Sequence, residues 1–508
     1  MFDLKNDSFK SVKDRYLFTL ATNLIKSCIN FLTVMLLARW LGPDDFGRLS
    51  YLLASFAAIK VFLDMSSSQA FFTFLSKSQK SLRFITYYWT WVFIQLVLTI
   101  AIIFFLLPDS LVQTIWVDEK KSLIFLGLIA VFLQNTAWSD IIQMAEANRR
   151  TIAIQYIATC LFLLHFIVIV CLWIFGQLAL PAILIATIIE WSITCLVASR
   201  LYKPYSRNYS EGEVKQDTFK QIFKSYGAFC LPLIPYGWVS FVHDLGDRWM
   251  LQTWGGPEQQ AYFSISLQIS GMVLFFSTAI IRIFWKEVAE AYEKGDLVHV
   301  KKLYKTTSRI TYFISSLMAG ALIPWSLELL QLIAGSQYSS GAFTLALLLL
   351  VPIYQGANHL NSSLLLATGN SYIYMQIGIF FMVVGLLVTY LMLAPNTQYI
   401  PGLDLGAFGL ALKFVMVQFI CVNCFSYTIA KIFNWEFDIL FQVLVMIICV
   451  SCGFFAKLLL SFLVFDTTPL MLIFIFTTFA YFLMVLMVIE AFLHKFSQSK
   501  LGVLNLFQ

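Results

Sequence analysis

The start of the chain decides the fold, because residues 16–40 read YLFTLATNLIKSCINFLTVMLLARW and residues 46–72 read FGRLSYLLASFAAIKVFLDMSSSQAFF. Each run is long enough to cross the hydrocarbon of a bilayer, which takes about 20 apolar residues. Between the runs lies Leu41-Gly42-Pro43-Asp44-Asp45, which combines helix breakers with acids and predicts a tight turn at a membrane surface. The two runs therefore predict a helical hairpin that spans a membrane twice.

Runs of the same kind recur along all 508 residues, of which 59% are hydrophobic and 12% charged. This composition is typical of an integral membrane protein and not of a soluble globular one. We predict an all-α polytopic membrane protein with about fourteen spans. Their approximate limits are 16–40, 46–72, 84–107, 122–146, 152–175, 178–199, 225–252, 258–284, 309–332, 342–367, 371–394, 405–430, 438–464 and 469–493.

The loops between these spans divide by charge. Basic residues concentrate in the even-numbered loops and the tails, notably in the stretches 77–83, 200–224 and 286–309, whereas the odd-numbered loops hold acids such as Asp109 and Asp404. The positive-inside rule then predicts that both termini lie in the cytoplasm. The net charge of +6 thus reflects orientation and not nucleic-acid binding, and the short outer loops leave no room for a large catalytic domain.

A sequence pattern recurs at an offset of 214 residues. The first copy contains Trp40, Gly42, Pro43, Asp44, Gly47 and Ser50, and the second contains Trp254, Gly256, Pro257, Glu258, Ala261 and Ser264. The same offset relates the polar stripe of the first span, at Asn23, Lys26, Asn30 and Thr33, to Gly237, Ser240, Asp244 and Asp247. Two pseudo-symmetric six-helix bundles are therefore predicted, followed by two additional helices.

The expected domains are residues 1–199 for the first bundle, 200–224 for a cytoplasmic linker, 225–431 for the second bundle, and 432–508 for the two last helices and the tail. The alternative interpretation of the repeat is an interfacial tryptophan beside a helix-breaking turn, with polar residues that bond neighbouring helices.

Ionisable residues inside the predicted spans are candidates for function, because such residues are costly in hydrocarbon and usually face a cavity or a partner. Lys26 lies near the middle of the first span, which has no acid of its own, so it needs a partner on another helix or a water-filled cavity. Lys60 and Asp64 lie one turn apart in the second span and either line a cavity or neutralise each other.

The seventh span carries the charged residues Asp244, Asp247 and Arg248 towards its outer end. They follow three residues that weaken or break a helix and so predict a hinge: Pro232, Pro235 and Gly237. A bent helix with a charged face suits a moving gate, and a prolyl kink with a salt-bridged cap is the structural alternative. In the eighth span, Arg282 lies towards the end.

Two pairs of cysteines, Cys421 with Cys424 and Cys449 with Cys452, have the spacing of zinc ligands. Both pairs fall inside apolar spans, where cysteine usually behaves as a small buried hydrophobe, so we expect no metal site. No nucleotide-binding motif occurs, and no cofactor or catalytic residue is expected. Energy for transport would then come from an ion gradient, the membrane potential or the substrate gradient.

The run Leu37-Ala38-Arg39-Trp40-Leu41-Gly42-Pro43-Asp44-Asp45-Phe46-Gly47, preceded by Asn23, resembles the Wzx-type polysaccharide and O-antigen flippases. The run Asp247-Arg248-Trp249-Met250-Leu251 is similar to the seventh span of that family. The family belongs to the multidrug/oligosaccharidyl-lipid/polysaccharide (MOP) exporter superfamily. The resemblance implies two six-helix bundles around a central cavity that opens alternately to each side of the membrane.

The resemblance further implies that the substrate is an oligosaccharide linked to a polyprenyl diphosphate, with membrane lipid around it, and that polysaccharide polymerase and chain-length proteins are candidate partners. The candidate substrate-binding residues are Asn23, Lys26, Asn30, Lys60, Arg248 and Arg282, and the candidates for binding a coupling ion are Asp64, Asp244 and Asp247. Ammonium and guanidinium groups suit a diphosphate, and carboxylates suit a proton or sodium ion.

Three other functions remain open at this point. A cation-coupled multidrug exporter has the same fold, but it would rely on acidic and aromatic cavity residues more than on lysines. The two additional helices also fit a flippase of the peptidoglycan lipid precursor. A membrane-embedded glycan transferase is disfavoured by the short outer loops.

Overall fold

The computed structural model describes residues 12–77, 82–117, 119–148, 150–200, 219–463 and 470–498. Over these ranges the chain forms helices joined by turns, without a β-strand, which confirms the predicted all-α class. Contacts between Cα atoms divide the chain into two compact units, Met1–Ala261 and Tyr262–Gln508. The expected domain boundaries at residues 199, 224 and 431 stay a prediction.

The helices of the first unit are α1 (Val12–Asp64), α2 (Ser67–Lys77), α3 (Leu82–Ala101), α4 (Asp109–Ile115), α5 (Lys121–Val131), α6 (Trp138–Ala147), α7 (Thr151–Ile174), α8 (Leu180–Arg200), α9 (Phe219–Cys230) and α10 (Ile234–Met250). Helix α11 (Gly256–Glu293) begins in the first unit and continues into the second. The second unit also holds α12 (Leu297–Leu322), α13 (Ser326–Ile333), α14 (Ala342–Leu348), α15 (Val351–Ala367), α16 (Ser371–Leu393), α17 (Gly406–Phe433), α18 (Ile439–Leu463) and α19 (Leu470–Gln498).

Ten helical segments in the described ranges are long and apolar enough to cross a membrane. One of them, Phe18–Asp64, covers most of the first two expected spans, because α1 consists of two helical parts joined by a kink at Gly42. The seventh, eighth and fourteenth expected spans correspond to α10, α11 and the shorter apolar segment Ile473–Met487. The structure is therefore consistent with fourteen spans.

Several expected spans consist of more than one helix. The fourth joins α5 to α6 through the π-helical turn Phe132–Ala137, and the seventh is broken between α9 and α10 at residues 231–233. The second expected span also breaks, because Met65 and Ser66 have φ of 47° and 62° and separate α1 from α2. A uniform apolar run thus does not guarantee one continuous helix.

The two copies of the sequence repeat have the same backbone geometry. Gly42 has φ of 79° and ψ of 172°, and Gly256 has φ of 79° and ψ of 179°. An L-residue with a side chain avoids this conformation, so glycine is required at both turns. The copies also meet, because a Cβ atom at Gly47 would overlap the carbonyl oxygen of Pro257.

The turn after the first span is tied to the rest of the first unit by polar contacts. Arg48 donates to both carboxylate oxygens of Glu119, from Nε at 2.6 Å and from Nη2 at 2.9 Å. Trp249 Nε1 donates to the carbonyl oxygen of Thr114 at 2.9 Å. These bonds join α1 and α10 to the short helix α4 and the segment that follows it.

In the second unit, the last two helices pack onto α12. At the crossing of α12 and α18, a Cβ atom at Gly453 would overlap the carbonyl oxygen of Gly320, so the two backbones touch. The hydroxyl of Tyr481 on α19 donates to the carbonyl oxygen of Leu317 at 2.8 Å. Small residues allow such close helix packing in membranes.

Candidate functional site

The candidate residues of the first unit lie on two helices that pack against each other. Asn23, Lys26, Asn30, Lys60 and Asp64 lie on α1, and Gly237, Asp244, Asp247 and Arg248 lie on α10. The ring of Phe62 on α1 contacts two rings of α10, those of Trp238 at 5.6 Å and Phe241 at 5.0 Å between centroids. The structure thus brings the second and seventh predicted spans together.

The predicted hinge residues lie where α10 begins. Pro232 falls in the break between α9 and α10, and Pro235 occupies the first turn of α10, where its missing N–H costs no helical hydrogen bond. Gly237 faces α1, because a Cβ atom there would lie 4.0 Å from the carbonyl oxygen of Val61. The break is observed, and its movement as a hinge stays a prediction.

Lys26 bonds to a polar side chain on another helix, as expected for a lysine in a span that contains no acid. Its Nζ donates to Gln155 Oε1 of α7 at 2.6 Å, and Gln155 Nε2 reaches Glu146 Oε1 of α6 at 3.4 Å. Glu146 acts electrostatically on Lys26, while Gln155 itself is buried. The ammonium group is therefore held by a neutral amide, with a carboxylate behind it.

The other two polar residues of the first stripe, Asn23 and Asn30, are partly exposed, like Lys26. All three lie on one face of α1 at spacings of three and four residues. Their predicted role in binding sugar hydroxyl groups stays a prediction.

Asp64 occupies the end of α1 and caps the next helix. It accepts hydrogen bonds from the backbone N–H and the hydroxyl of Ser68, at 3.1 Å and 2.7 Å, and from the hydroxyl of Ser67 at 3.1 Å. A carboxylate in this position satisfies donors at the start of a helix, so α2 depends on Asp64. The sequence did not indicate this capping role, because the break at Met65 and Ser66 carries no glycine or proline.

Lys60 lines a pocket inside the first unit, with about 370 Å³ of empty space between α1, α3 and α5. The pocket wall also contains the buried polar side chains of Gln95, Thr99 and Thr136. Gln95 is fixed by a 2.8 Å bond from its Nε2 to the carbonyl oxygen of Leu63. Lys60 therefore lies beside three polar side chains in a pocket whose other lining residues are apolar.

Asp140 on α6 is a buried acid that is not among the residues predicted from the sequence. It is 0% exposed and accepts a 2.9 Å hydrogen bond from the hydroxyl of Tyr88 at its Oδ2. Its Oδ1 has no hydrogen-bond partner among the described residues. Lys60 and Asp64 both act on it electrostatically. An acid inside an apolar span is itself a signal of function, and that signal was present in the sequence.

A second buried pair, also not predicted from the sequence, joins α7 to α8. His165 Nδ1 lies 2.7 Å from Glu190 Oε2, and both side chains are largely buried. The indole ring of Trp191 meets the imidazole ring edge-on at 5.2 Å between centroids. This pair joins two helices, while Oε1 of Glu190 has no hydrogen-bond partner among the described residues.

The charged residues of α10 form one cluster around His243. Its Nδ1 lies 3.0 Å from Asp244 Oδ1, and its Nε2 lies 3.7 Å from Asp247 Oδ2. The two acids differ in environment, since the side chain of Asp244 is 55% exposed and that of Asp247 is 4% exposed. Arg248 interacts electrostatically with both acids. A gate and a salt-bridged cap both remain compatible with this arrangement.

The remaining candidates lie elsewhere. Arg282 lies on α11, and its side chain is outside the described part of the structure. The cysteines of the two zinc-like pairs are free, and Cys421 and Cys449 are buried. Within the described ranges, no group of three or more His, Cys, Asp or Glu side chains is arranged to hold a metal ion.

Comparison with known sequences finds a family match within the first half of the chain. A family model described as "Polysaccharide biosynthesis protein" matches residues 12–252. This range contains α1 to α10 and therefore both helices that carry the candidate site. No curated protein matches the chain in sequence.

Solved structures share the fold at low sequence identity. The lipid II flippase MurJ in an inward closed conformation has a TM-score of 0.69 and 14% identity, over 94% of this chain and 99% of its own. An inward-facing multidrug resistance MATE family transporter of the MOP superfamily has a TM-score of 0.60 and 13% identity, over 82% of this chain and 99% of its own. A MOP superfamily transporter from Pyrococcus furiosus has a TM-score of 0.54 and 13% identity, over 82% of this chain and 94% of its own.

The MurJ structure matches 94% of the chain and the two transporters 82% each, so the MurJ fold accounts for more of this protein. These neighbours are described as a flippase and as transporters, not as enzymes. The family match and the shared fold confirm the resemblance predicted from residues 37–47: the chain is a multi-pass membrane protein with the fold of the MOP exporter superfamily, similar to its Wzx-type polysaccharide flippases.

Proposed function

We propose that the protein moves an oligosaccharide linked to a polyprenyl diphosphate from the cytoplasmic to the outer leaflet of a bacterial inner membrane. It works by alternating access, driven by an ion gradient or the membrane potential, with both termini in the cytoplasm. The family match over residues 12–252 and the MOP fold support a flippase. The charge of the candidate site supports a diphosphate as the group that is recognised.

The observation that carries the substrate proposal is the bond between Lys26 and Gln155. An ammonium group has three N–H donors, and its hydrogen bond in the described structure goes to a neutral amide at 2.6 Å. Two donors remain for a ligand, and the positive charge is not cancelled by a directly bonded carboxylate. A diphosphate is a strong acceptor for such a group, particularly where water is scarce.

Lys60 supplies a second cation, on the part of α1 that follows the kink at Gly42, where it lines a pocket together with Gln95, Thr99 and Thr136. The diphosphate engages the lysines, while sugar hydroxyl groups bond to Asn23 and Asn30 along the stripe of Lys26. Arg248 and Arg282 stay candidates for binding the negatively charged diphosphate. The polyprenyl chain remains in lipid, since hydrocarbon gains nothing from a polar cavity.

The coupling ion is held by carboxylates of the first unit. Asp64, Asp244 and Asp247 are the acids that the sequence indicated, and Asp140 joins them because one of its oxygens has no partner in the described structure. Asp140 lies within electrostatic range of Lys60. Binding of a proton or sodium ion to Asp140 therefore changes the field at Lys60, which gives a physical route from ion binding to substrate binding.

Two other substrates belong to the same fold. The greater coverage of the chain by the MurJ structure favours a peptidoglycan lipid precursor, which also carries a diphosphate. The acids around His243 favour a cationic drug, as expected of a multidrug exporter. Lysines inside the spans oppose a cationic substrate, so we place the drug exporter last.

The test is translocation in proteoliposomes that contain the purified full-length protein. A fluorescent oligosaccharide on a polyprenyl diphosphate, the peptidoglycan lipid precursor and a cationic dye are compared as substrates. The variants are Lys26→Ala and Lys60→Ala, and the matched control is Lys220→Ala, which removes an exposed lysine from α9.

We expect translocation of the oligosaccharide by the wild type and by Lys220→Ala, and strong loss in the other two variants. Faster translocation of the peptidoglycan precursor would support a flippase but would change the glycan that we propose as its substrate. Export of the dye without translocation of either lipid would contradict the proposal.

A further inference from the structure

A pocket in the second unit lies apart from the candidate site. It encloses about 620 Å³ of space, part of it open to solvent, where α12 meets the end of α17 and the start of α18. The positive-inside rule predicts that this end of the unit faces the cytoplasm, because α12 begins within the basic stretch 286–309. Neither the family resemblance nor the proposed transport cycle uses this pocket.

One wall of the pocket is a row of cations on α12. Lys301, Lys305 and Arg309 follow one another at intervals of four residues and therefore lie on one face of the helix. Arg309 is bonded to Asp438, and Lys305 lies 3.7 Å from Glu436 in an exposed, weak pair. In the described residues no ion pair engages Lys301, so three cations face two acids and the pocket keeps a positive charge.

Two residues that line the pocket carry buried polar atoms without a hydrogen-bond partner in the described structure. Tyr312 and Gln442 are among the residues that line the pocket, and the buried hydroxyl of Tyr312 and Oε1 of Gln442 have no hydrogen-bond partner among the described residues. Tyr312 is 2% exposed and Gln442 is 7% exposed. Unsatisfied buried polar groups are costly, so their presence in a pocket wall points to a ligand that bonds to them.

The rim of the pocket is aromatic. The ring of Trp435 lies against that of Tyr304 at 5.8 Å between centroids, and the guanidinium of Arg309 lies 5.0 Å from the ring centre of Phe441. Tryptophan and tyrosine concentrate at the boundary between water and hydrocarbon. A basic pocket between spans at such a boundary has the chemistry that binds phosphate headgroups of lipids.

We propose that this pocket binds the phosphate group of a membrane lipid. The phosphate oxygens accept bonds from Lys301, Lys305 and the hydroxyl of Tyr312, while a donor on the headgroup, such as a glycerol hydroxyl, satisfies Gln442. The acyl or prenyl chains leave past the aromatic rim into the bilayer. A glycerophospholipid and a polyprenyl diphosphate share this chemistry, and the experiment separates them.

The test is native mass spectrometry of the full-length, delipidated protein titrated with phosphatidylglycerol, with phosphatidylcholine, with a short-chain polyprenyl diphosphate and with inorganic phosphate. The double variant Lys301→Gln with Lys305→Gln removes the cations. Lys302→Gln is the matched control, because it removes the same charge from the adjacent position outside the pocket. Tyr312→Phe removes only the hydroxyl group.

Saturable lipid binding should weaken about tenfold or more in the double variant and about fivefold in Tyr312→Phe, with Lys302→Gln unchanged. Stronger binding of phosphatidylglycerol or of the polyprenyl diphosphate identifies the source of the phosphate. Equal weakening in Lys302→Gln would mean diffuse attraction and overturn the proposal. Binding that none of the variants weakens, or displacement by inorganic phosphate at the same concentration, would also overturn it.

Discussion

Lys26 and Asp140 of the first unit bond to neutral groups, whereas Lys457 and Arg309 of the second unit bond to carboxylates. In the first unit, Lys26 donates to the amide of Gln155, and the carboxylate of Asp140 accepts from the hydroxyl of Tyr88. Neither bond cancels the charge it stabilises. The proposed function assigns an anionic substrate to Lys26 and a coupling ion to Asp140.

In the second unit, Lys457 of α18 and Arg309 of α12 meet carboxylates directly. Lys457 lies 2.5 Å from a carboxylate oxygen of Glu328 and also donates to the carbonyl oxygen of Pro324 at 2.7 Å. Arg309 is bonded to Asp438. These pairs neutralise each other and join helices. We therefore expect a charge inside a span to indicate function most clearly where no opposite charge is bonded to it.

The largest effect is expected for loss of Lys26. Lys26→Ala should lower the rate of lipid-linked oligosaccharide translocation at least about tenfold, because a charged hydrogen bond to the diphosphate is lost. Lys26→Arg keeps the charge and should restore part of the rate. Initial rates in proteoliposomes, normalised to folded protein, check both variants. Full activity of Lys26→Ala would contradict the proposed role of Lys26 in binding the diphosphate.

Loss of Lys457 should lower stability and leave translocation unchanged. Lys457→Met leaves Glu328 without its cation and should lower the free energy of unfolding by about 1–2 kcal/mol, since both side chains are partly exposed. The double variant with Glu328→Gln should regain most of that loss. Thermal unfolding in detergent measures stability, and translocation per folded molecule should not change. A transport defect at normal stability would contradict the assignment.

Asp140 is the second group of the first unit that bonds to a neutral partner, and we expect it to act in ion coupling. Asp140→Asn keeps an oxygen that accepts from Tyr88 and removes the charge, so the fold should persist. If Asp140 binds the coupling ion, an imposed proton or sodium gradient should no longer stimulate translocation. The measurement compares initial rates with and without each gradient. The matched control is Asp404→Asn, which removes an exposed acid before α17 and should keep the stimulation. Unaltered stimulation in Asp140→Asn would assign coupling to another acid.

The smallest effect concerns the repeated turn. Gly42→Ala and Gly256→Ala both place a Cβ atom at φ of 79°, and each should cost about 1–2 kcal/mol. Because the two backbones match, the two losses should be similar. Thermal unfolding of the single variants tests this. Losses that differ widely would show that the two copies of the turn are not structurally equivalent.

The sequence predicted the spans and the need for a partner at Lys26, because both follow from the cost of polar groups in hydrocarbon. It did not identify Gln155 or Glu146, since the packing of α7 and α6 on α1 is a tertiary property. Asp140 is recognisable as an acid in an apolar span, but its burial and its contact with Tyr88 depend on the fold. The capping role of Asp64 could not be predicted from the sequence. The helix break after it lies at Met65 and Ser66, which have positive φ although neither residue type favours that conformation.

Equilibrium binding tests most directly whether Lys26 binds the diphosphate of the substrate. The affinity of the purified full-length protein for a short-chain polyprenyl diphosphate is compared between the wild type, Lys26→Ala and Lys457→Met. We expect about tenfold weaker binding for Lys26→Ala and unchanged binding for Lys457→Met. Equal affinity of Lys26→Ala and the wild type would show that the diphosphate is recognised elsewhere.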